Sequence, residues 1–179
     1  MNYDALIIID MQTALVKAGP YNREAVVSNI KKLLHACRTR KIPVIYIQHD
    51  GGTDDELEHG SIGWEIYWEL APLPDETILE KHYNSAFRKT GLREYLDQIG
   101  AANIILCGMQ TEYCFDVTCK VAFEYEYEVT VPQATTTTFD NALASGKDLS
   151  EYYENKIWKN RYARVISMEQ VLSEINHPG

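Results

Sequence analysis

The sequence has 179 residues, a length typical of one domain with a sizeable core. Its 17 basic and 26 acidic side chains give a net charge of −9, which argues against nucleic acid or an anionic membrane surface as a partner. The sequence has no run of the roughly 18 apolar residues that span a bilayer. The N-terminal apolar run is too short for a signal peptide and lacks preceding basic residues. We therefore expect a single cytoplasmic domain over residues 1–179.

Six apolar runs have the length of strands and alternate with segments of helical periodicity. The predicted strands cover residues 5–9, 43–48, 77–80, 103–108, 127–132 and 163–167, and the predicted helices cover residues 22–40, 91–99, 111–124, 149–160 and 168–175. Near-continuous apolar runs are typical of strands buried on both faces of a parallel sheet. The alternation predicts an α/β fold: a three-layer α/β/α sandwich with a Rossmann-like, doubly wound parallel sheet of about six strands.

Two segments stand apart from this pattern. The run of four threonines at residues 135–138 is predicted to be a strand-to-helix loop. The longest irregular stretch covers residues 50–74, and its aromatic residues Trp64, Tyr67 and Trp68 argue against disorder. This stretch is expected to be a lid that packs on its own core, a wall of a substrate pocket or a subunit contact.

Polar residues follow several of the predicted strands. Asp10, His49 and Lys81 stand directly after apolar runs, and a turn over residues 108–114 follows the fourth. In open α/β sheets, binding sites form at the carboxyl ends of the strands, so an acid, a lysine and Cys114 are expected at one edge. Each has an ordinary alternative on its own: a turn cap, a solvated charge or a buried packing residue. Their coincidence at three strand ends favours a chemical site.

The cysteines do not form a metal or redox motif, because none of the four belongs to a CxxC pair. Thr111 is expected to cap the helix that follows, which would put Cys114 in its first turn and lower the pKa of that thiol. Cys119 lies five residues further on, about 140° around the helix, and is expected to pack away from the site. Cys37 and Cys107 are expected to be core residues.

Three sequence motifs carry a resemblance to a known family. They are "ALIIIDMQ" at residues 5–12, "EKHYNSAFRKTGL" at 80–92 and "CGMQTEYCFDVTC" at 107–119, and "ATTTTFD" at 134–140 also fits. In this order and spacing the chain resembles the isochorismatase-like cysteine hydrolase superfamily. That superfamily includes nicotinamidases, carbamoyl-sarcosine amidohydrolases and streptothricin hydrolase-like proteins. The resemblance is to its metal-free subgroup rather than to nicotinamidases proper.

The resemblance implies a cysteine-dependent hydrolase that cleaves an amide-type C–N bond of a small molecule through a thioester. It assigns an Asp-Lys-Cys triad to Asp10, Lys81 and Cys114. It also implies a cis peptide bond between Met109 and Gln110, with the N–H groups of Gln110 and Cys114 as an oxyanion hole. The family further implies a homo-oligomer, a dimer or a tetramer.

Further residues are expected to contact the substrate. They are Gln12, His49, Trp64, Tyr83, Phe87 and Tyr113, although core packing is an equal alternative for Tyr83, Phe87 and Tyr113. The metal-free subgroup often has the pattern Gly-Trp-Glu-x-His-Pro. Residues 63–68 match its first three positions, but Tyr67 and Trp68 replace the last two.

Nicotinamidases have a metal-binding Asp-x-His and a further histidine after the second strand. In this sequence His49 stands at the position of that aspartate and Gly51 at a histidine position. By composition alone His49, Asp50 and His59 would suit a metal, but we expect neither a metal nor another cofactor.

Three other functions remain as alternatives. Isochorismatases of the same superfamily hydrolyse a vinyl ether and lack the nucleophilic cysteine, so Cys114 favours acyl chemistry. A phospho-acceptor domain also uses an aspartate and a lysine at strand ends, but "DMQT" at residues 10–13 lacks the extra acids that hold magnesium. The third alternative is a non-enzymatic α/β binding protein.

Overall fold

The computed structural model describes residues 2–177, and its centre is a parallel seven-stranded sheet. The strands are β1 (Ala5–Ile9), β2 (Val44–His49), β3 (Thr77–Lys81), β4 (Asn103–Met109), β5 (Glu128–Pro132), β6 (Thr136–Thr137) and β7 (Arg164–Ile166). Their order is β3-β2-β1-β4-β5-β7, with β6 paired to the end of β4. Every pairing between them is parallel. The prediction of a doubly wound α/β sheet is confirmed.

Helices cover both faces of this sheet. They are α1 (Thr13–Lys17), α2 (Arg23–Thr39), α3 (Leu92–Gln98), α4 (Asp116–Glu124), α5 (Gly146–Tyr152) and α6 (Met168–Asn176). One buried cluster joins one face of β1 to α2 and α6, and the other joins the opposite face to α3 and α4. Because strand side chains alternate, Leu6 and Ile8 enter the first cluster and Ile7 and Ile9 the second. No helix within residues 2–177 is long and apolar enough to cross a membrane.

The threonine run differs from its prediction. Thr136 and Thr137 form β6, which pairs with Gly108 and Met109 at the end of β4. The side chains of Thr135–Thr138 are all buried. β-branched threonines suit a pleated, buried strand, so their polar character misled the prediction of a loop.

The segment after β4 also differs from its prediction. Residues Thr111–Phe115 form a π-helical turn that continues into α4, and Gln110 precedes its first residue. Thr111 does not cap the helix, because its hydroxyl lies 3.0 Å from the Thr136 hydroxyl in the interior. The buried contact with β6 is one that a local capping rule does not foresee. A second π-helical turn, Tyr153–Trp158, follows α5.

The long irregular stretch is attached to the sheet. Gln12 pairs with Ile66 in an isolated antiparallel bridge, and Leu57 and Leu70 are buried. A short 3₁₀ helix, Trp68–Leu70, lies against α2, where Lys31 pairs with Glu69 at 2.8 Å. This stretch therefore closes one side of the carboxyl edge of β1 and β2.

Candidate active site

Asp10 leaves β1 at the carboxyl edge of the sheet. Its backbone has φ +50°, and its N–H donates to the Ile47 carbonyl at 3.0 Å. A left-handed conformation is unfavourable for a residue other than glycine and recurs at functional sites. In the neighbouring strand, a Cβ at Gly108 would lie 2.1 Å from the Ile9 carbonyl oxygen. Only glycine therefore permits β4 to approach β1 so closely at the point where Asp10 emerges.

Lys81 is the centre of the site. Its ammonium lies 2.7 Å from Asp10 Oδ2 and donates to Cys114 Sγ at 3.3 Å. Its third contact is His49 Nδ1 at 3.1 Å. An ammonium has three donors and no acceptor, so these three groups use all of its hydrogen bonds. With an exposed fraction of 1%, this ammonium is held between partners rather than solvated.

His49 therefore accepts from Lys81 through Nδ1, which leaves the proton of the neutral ring on Nε2. Burial, followed by the positive charge of Lys81, lowers the pKa of His49. Both effects favour the neutral imidazole. His49 was expected at the substrate, and the structure brings it directly to the lysine; contact with a substrate stays a prediction.

Cys114 lies in the π-helical turn and is half-buried, whereas the other three cysteines are fully buried and all four are free thiols. Burial, followed by the charge of Asp10, raises the pKa of the Cys114 thiol to about 12 against the opposing charge of Lys81. The expectation of a lowered pKa at a helix N-terminus is wrong. Loss of water around the sulfur and the adjacent Asp10 carboxylate both favour the neutral thiol. The resting thiol therefore needs a base to become a nucleophile.

The second carboxylate oxygen of Asp10 is a candidate for such a base. Asp10 Oδ1 is buried and has no hydrogen-bond partner among residues 2–177. Its other oxygen is held by Lys81. A buried carboxylate oxygen without a donor is costly, and such exceptions call for a functional explanation. Oδ1 is free to accept the thiol proton.

The peptide bond between Met109 and Gln110 is cis, as the resemblance predicted. The Gln110 carbonyl accepts from the N–H groups of Tyr113 and Phe115, each at 3.1 Å. These bonds close the turn that carries Cys114. The use of the Gln110 and Cys114 N–H groups as an oxyanion hole stays a prediction.

Gln12 serves the backbone around the site. Its amide donates to the carbonyls of His49 and Trp64, each at 2.9 Å, and accepts from the His49 N–H at 2.8 Å. The side chain is fully buried. It thus joins the end of β2 to the long stretch, and both of its amide hydrogens are occupied. Trp64 is half-buried, and its ring contacts His59 with centroids 4.4 Å apart.

The predicted aromatic wall is divided among different environments. Tyr113 is 52% exposed and stands beside Cys114 in the turn. Tyr83 is half-buried under the guanidinium of Arg88, which lies 3.9 Å from its ring centroid. Phe87 is buried in the core and packs against Tyr125. The structure therefore assigns Phe87 to the packing alternative and leaves Tyr113 the most accessible of the three.

Asn84 is a neighbour of the thiol that the sequence reasoning missed. Its side-chain oxygen lies 3.8 Å from Cys114 Sγ, and the residue is exposed. Asn84 is three residues after Lys81 in the second family-like motif, which was the available signal. It borders the open side of the site.

The donor set of a nicotinamidase metal site is not present beside Lys81. His49 takes the place of the aspartate and uses Nδ1 for the lysine, and Gly51 has no side chain to offer. His49 and Gly51 therefore cannot hold that metal on the Lys81 side of the sheet, and the chemistry proposed below does not pass through it.

Comparisons with known proteins agree with this architecture. The model of the isochorismatase domain matches residues 4–170. Streptothricin hydrolase of Streptomyces noursei is 30% identical over 149 residues, which cover 82% of this chain and 53% of the relative. This chain thus spans about half the length of that relative. Nicotinamidase 3 of Arabidopsis thaliana is 30% identical, over 78% of this chain and 75% of its own.

A solved structure gives the same result for the fold. The crystal structure of an isochorismatase from Pseudomonas putida KT2440 superposes with a TM-score of 0.88 at 26% identity, over 93% of this chain and 89% of its own. The family match extends from β1 to α6 and includes the segments of Asp10, Lys81 and Cys114. The chain belongs to the isochorismatase family, as its motifs predicted.

Proposed function

We propose that this protein is a cysteine-dependent hydrolase of a small-molecule amide-type C–N bond. The observation that carries the proposal is the single buried ammonium of Lys81, in contact with Asp10 Oδ2 at 2.7 Å and Cys114 Sγ at 3.3 Å. A thiol, a carboxylate with one free oxygen and a fixed cation are the parts that covalent acyl transfer requires. Relatives named as a streptothricin hydrolase and a nicotinamidase support a hydrolase.

In the first half of the reaction, Asp10 Oδ1 takes the proton of the Cys114 thiol while Sγ attacks the amide carbon. The carbonyl electrons move to oxygen, and the oxyanion accepts hydrogen bonds from the N–H groups of Gln110 and Cys114. Lys81 stabilises the sulfur and the carboxylate as negative charge moves between them. The C–N bond then breaks, and the leaving nitrogen takes the proton from Asp10. The products of this half are the free amine or ammonia and a Cys114 thioester.

In the second half, a water molecule gives a proton to Asp10 and attacks the thioester carbon. The C–S bond breaks, and the thiolate recovers its proton from Asp10. The enzyme returns to its resting state with a carboxylic acid released. The raised pKa of Cys114 fits this sequence, since the resting form is the thiol and Asp10 must act in each proton transfer.

The test is a screen of small amides, lactams and carbamoyl compounds for release of ammonia or amine. Wild type and Cys119→Ala should turn over at least one compound, because Cys119 is buried away from the site in the core around α4. Cys114→Ala should be inactive while its circular dichroism is unchanged. Equal turnover by Cys114→Ala would contradict the proposal. A vinyl ether hydrolysed without Cys114 would support the isochorismatase alternative, and no turnover with an unreactive thiol would support a binding protein.

A further inference from the structure

Four polar side chains cluster at the end of β2 and β3, outside the contacts of the Lys81 ammonium. They are Asp50, His59, Glu80 and His82. Glu80 and His82 flank Lys81 in the chain, and Asp50 directly follows His49, the register partner of Lys81. Because side chains alternate along a strand, Asp50, Glu80 and His82 belong to the face opposite the lysine.

Each carboxylate of this cluster uses one oxygen for a fixed contact and presents the other to His82. Asp50 Oδ1 accepts from the N–H of Gly52 at 2.8 Å and of His59 at 3.3 Å, while Oδ2 lies 3.4 Å from His82 Nδ1. Glu80 Oε2 is paired with His59 Nδ1, while Oε1 lies 3.9 Å from His82 Nε2. Two oriented carboxylate oxygens therefore face the same imidazole, one at each of its ring nitrogens.

We propose that Asp50, Glu80 and His82 bind a divalent transition-metal cation of the zinc type, with His59 orienting Glu80. One ligand atom from each of the three residues lies within 4.8 Å of the others. Tetrahedral zinc with bonds of about 2.0–2.1 Å holds its ligands about 3.3 Å apart. Because Asp50 Oδ2 faces Nδ1 of His82 and Glu80 Oε1 faces Nε2, the exposed His82 ring has to turn so that one nitrogen meets both carboxylates. Three protein ligands leave the fourth position to water.

The charge of the surroundings favours a cation. With neutral imidazoles, the cluster has the two negative charges of Asp50 and Glu80. The adjoining segment 54–58 adds further acids, and the whole chain has a net charge of −9. Imidazole and carboxylate are a donor set that suits zinc, and a hydrogen bond to a ligating carboxylate is its usual support.

A cation at this site would have a structural role and would take no part in the amide chemistry. It would join the start of the long irregular stretch, at Asp50, to the residues on both sides of Lys81. The backbone already makes this connection, since the Asp50 N–H donates to the Lys81 carbonyl at 2.9 Å. Bound metal should therefore stabilise the fold and the position of the lysine, whatever the substrate is.

The direct test is zinc binding by the full-length protein after treatment with a chelator. Equilibrium dialysis should find one equivalent of Zn²⁺, and Zn²⁺ at 100 times its dissociation constant should raise Tm by about 5–10 °C. The variants His82→Ala and Glu80→Gln should lose this binding, and His59→Ala should weaken it about 10–100-fold. The matched controls His35→Ala and Glu24→Gln alter an exposed histidine and an exposed acid on α2, away from the cluster, and should bind like wild type.

Cobalt separates this site from the thiols. Co²⁺ should give a visible spectrum without a thiolate charge-transfer band, and the spectrum should vanish in His82→Ala. Absence of stoichiometric binding would overturn the proposal. Equal binding by His82→Ala and wild type would overturn it as well, because the cation would then be held elsewhere.

Discussion

Replacing Lys81 with methionine should reduce the reactivity of Cys114 without a need to know the substrate. Methionine keeps most of the length of the side chain and removes the charge. Two unit charges 3.3 Å apart, as Lys81 Nζ and Cys114 Sγ are, attract by about 5 kcal/mol at an effective dielectric constant of about 20. Each 1.36 kcal/mol corresponds to about one unit of pKa. At the upper limit, loss of this attraction therefore lowers the population of the Cys114 thiolate by more than three powers of ten.

Relaxation of the neighbouring groups absorbs part of this energy. We therefore expect the rate of alkylation of Cys114 by iodoacetamide at about pH 8 to fall by at least about 100-fold in Lys81→Met. Peptide mass spectrometry assigns the modified cysteine, and the buried Cys37, Cys107 and Cys119 serve as internal references. Lys120→Met is the matched control, since Lys120 pairs with Asp116 on α4. Alkylation of Lys81→Met at the wild-type rate would refute the role given to the ammonium.

Three further predictions concern stability and assembly. Lys81→Met should lower the free energy of unfolding by about 3–5 kcal/mol because it leaves a buried carboxylate unpaired. In urea titrations, the double variant Asp10→Asn/Lys81→Met should recover most of that loss. Equal stability of the single and the double variant would contradict this prediction. Burial raises the pKa of Glu154 from 4.5 to about 7, so the folded state keeps this proton up to a higher pH than the unfolded state does. The free energy of unfolding therefore falls by about 3 kcal/mol as pH rises from 4.5 to 7. Glu154→Gln, which keeps an acceptor for the Ala134 N–H, should remove this decline, whereas an unchanged pH profile of unfolding would disprove it. Trp68 is 71% exposed and Ile62 is 74% exposed on the long stretch, which makes this surface the expected contact of a homo-oligomer. The double variant Trp68→Ser/Ile62→Ser should therefore have a lower mass by light scattering than the wild type. A single-chain mass for the wild type would refute the expected oligomer.

The strands were the most predictable part of the fold. A strand buried on both faces has an almost continuous apolar sequence, so β1 was predicted with its exact bounds and the central strands to within a residue or two. β6 and α1 were missed because two and five residues are too few for a periodic pattern. The π-helical turn at Thr111 was missed because a tertiary contact, with Thr136, decides its hydrogen bonding.

The residues of the site that directly follow apolar runs were predictable from the sequence. Asp10 follows the first apolar run and Lys81 follows the third, and a parallel sheet brings the carboxyl ends of its strands to one edge. The contact between His49 and Lys81 follows from their strand register, which a sequence does not specify. The pKa of Cys114 was wrongly predicted because burial of the sulfur depends on packing from both layers. Composition grouped His49, Asp50 and His59, whereas in the structure His49 contacts Lys81 and His59 contacts Glu80.

The central claim is that Cys114 forms the covalent intermediate, and intact-mass analysis with an activated acyl ester tests it most directly. Rapid acid quenching should trap one acyl group per chain, and digestion should assign it to the peptide that contains Cys114. Asp10→Asn should acylate far more slowly, because it lacks the oxygen that accepts the thiol proton. An acyl group on another residue, or equal labelling of Cys114→Ala, would contradict the account.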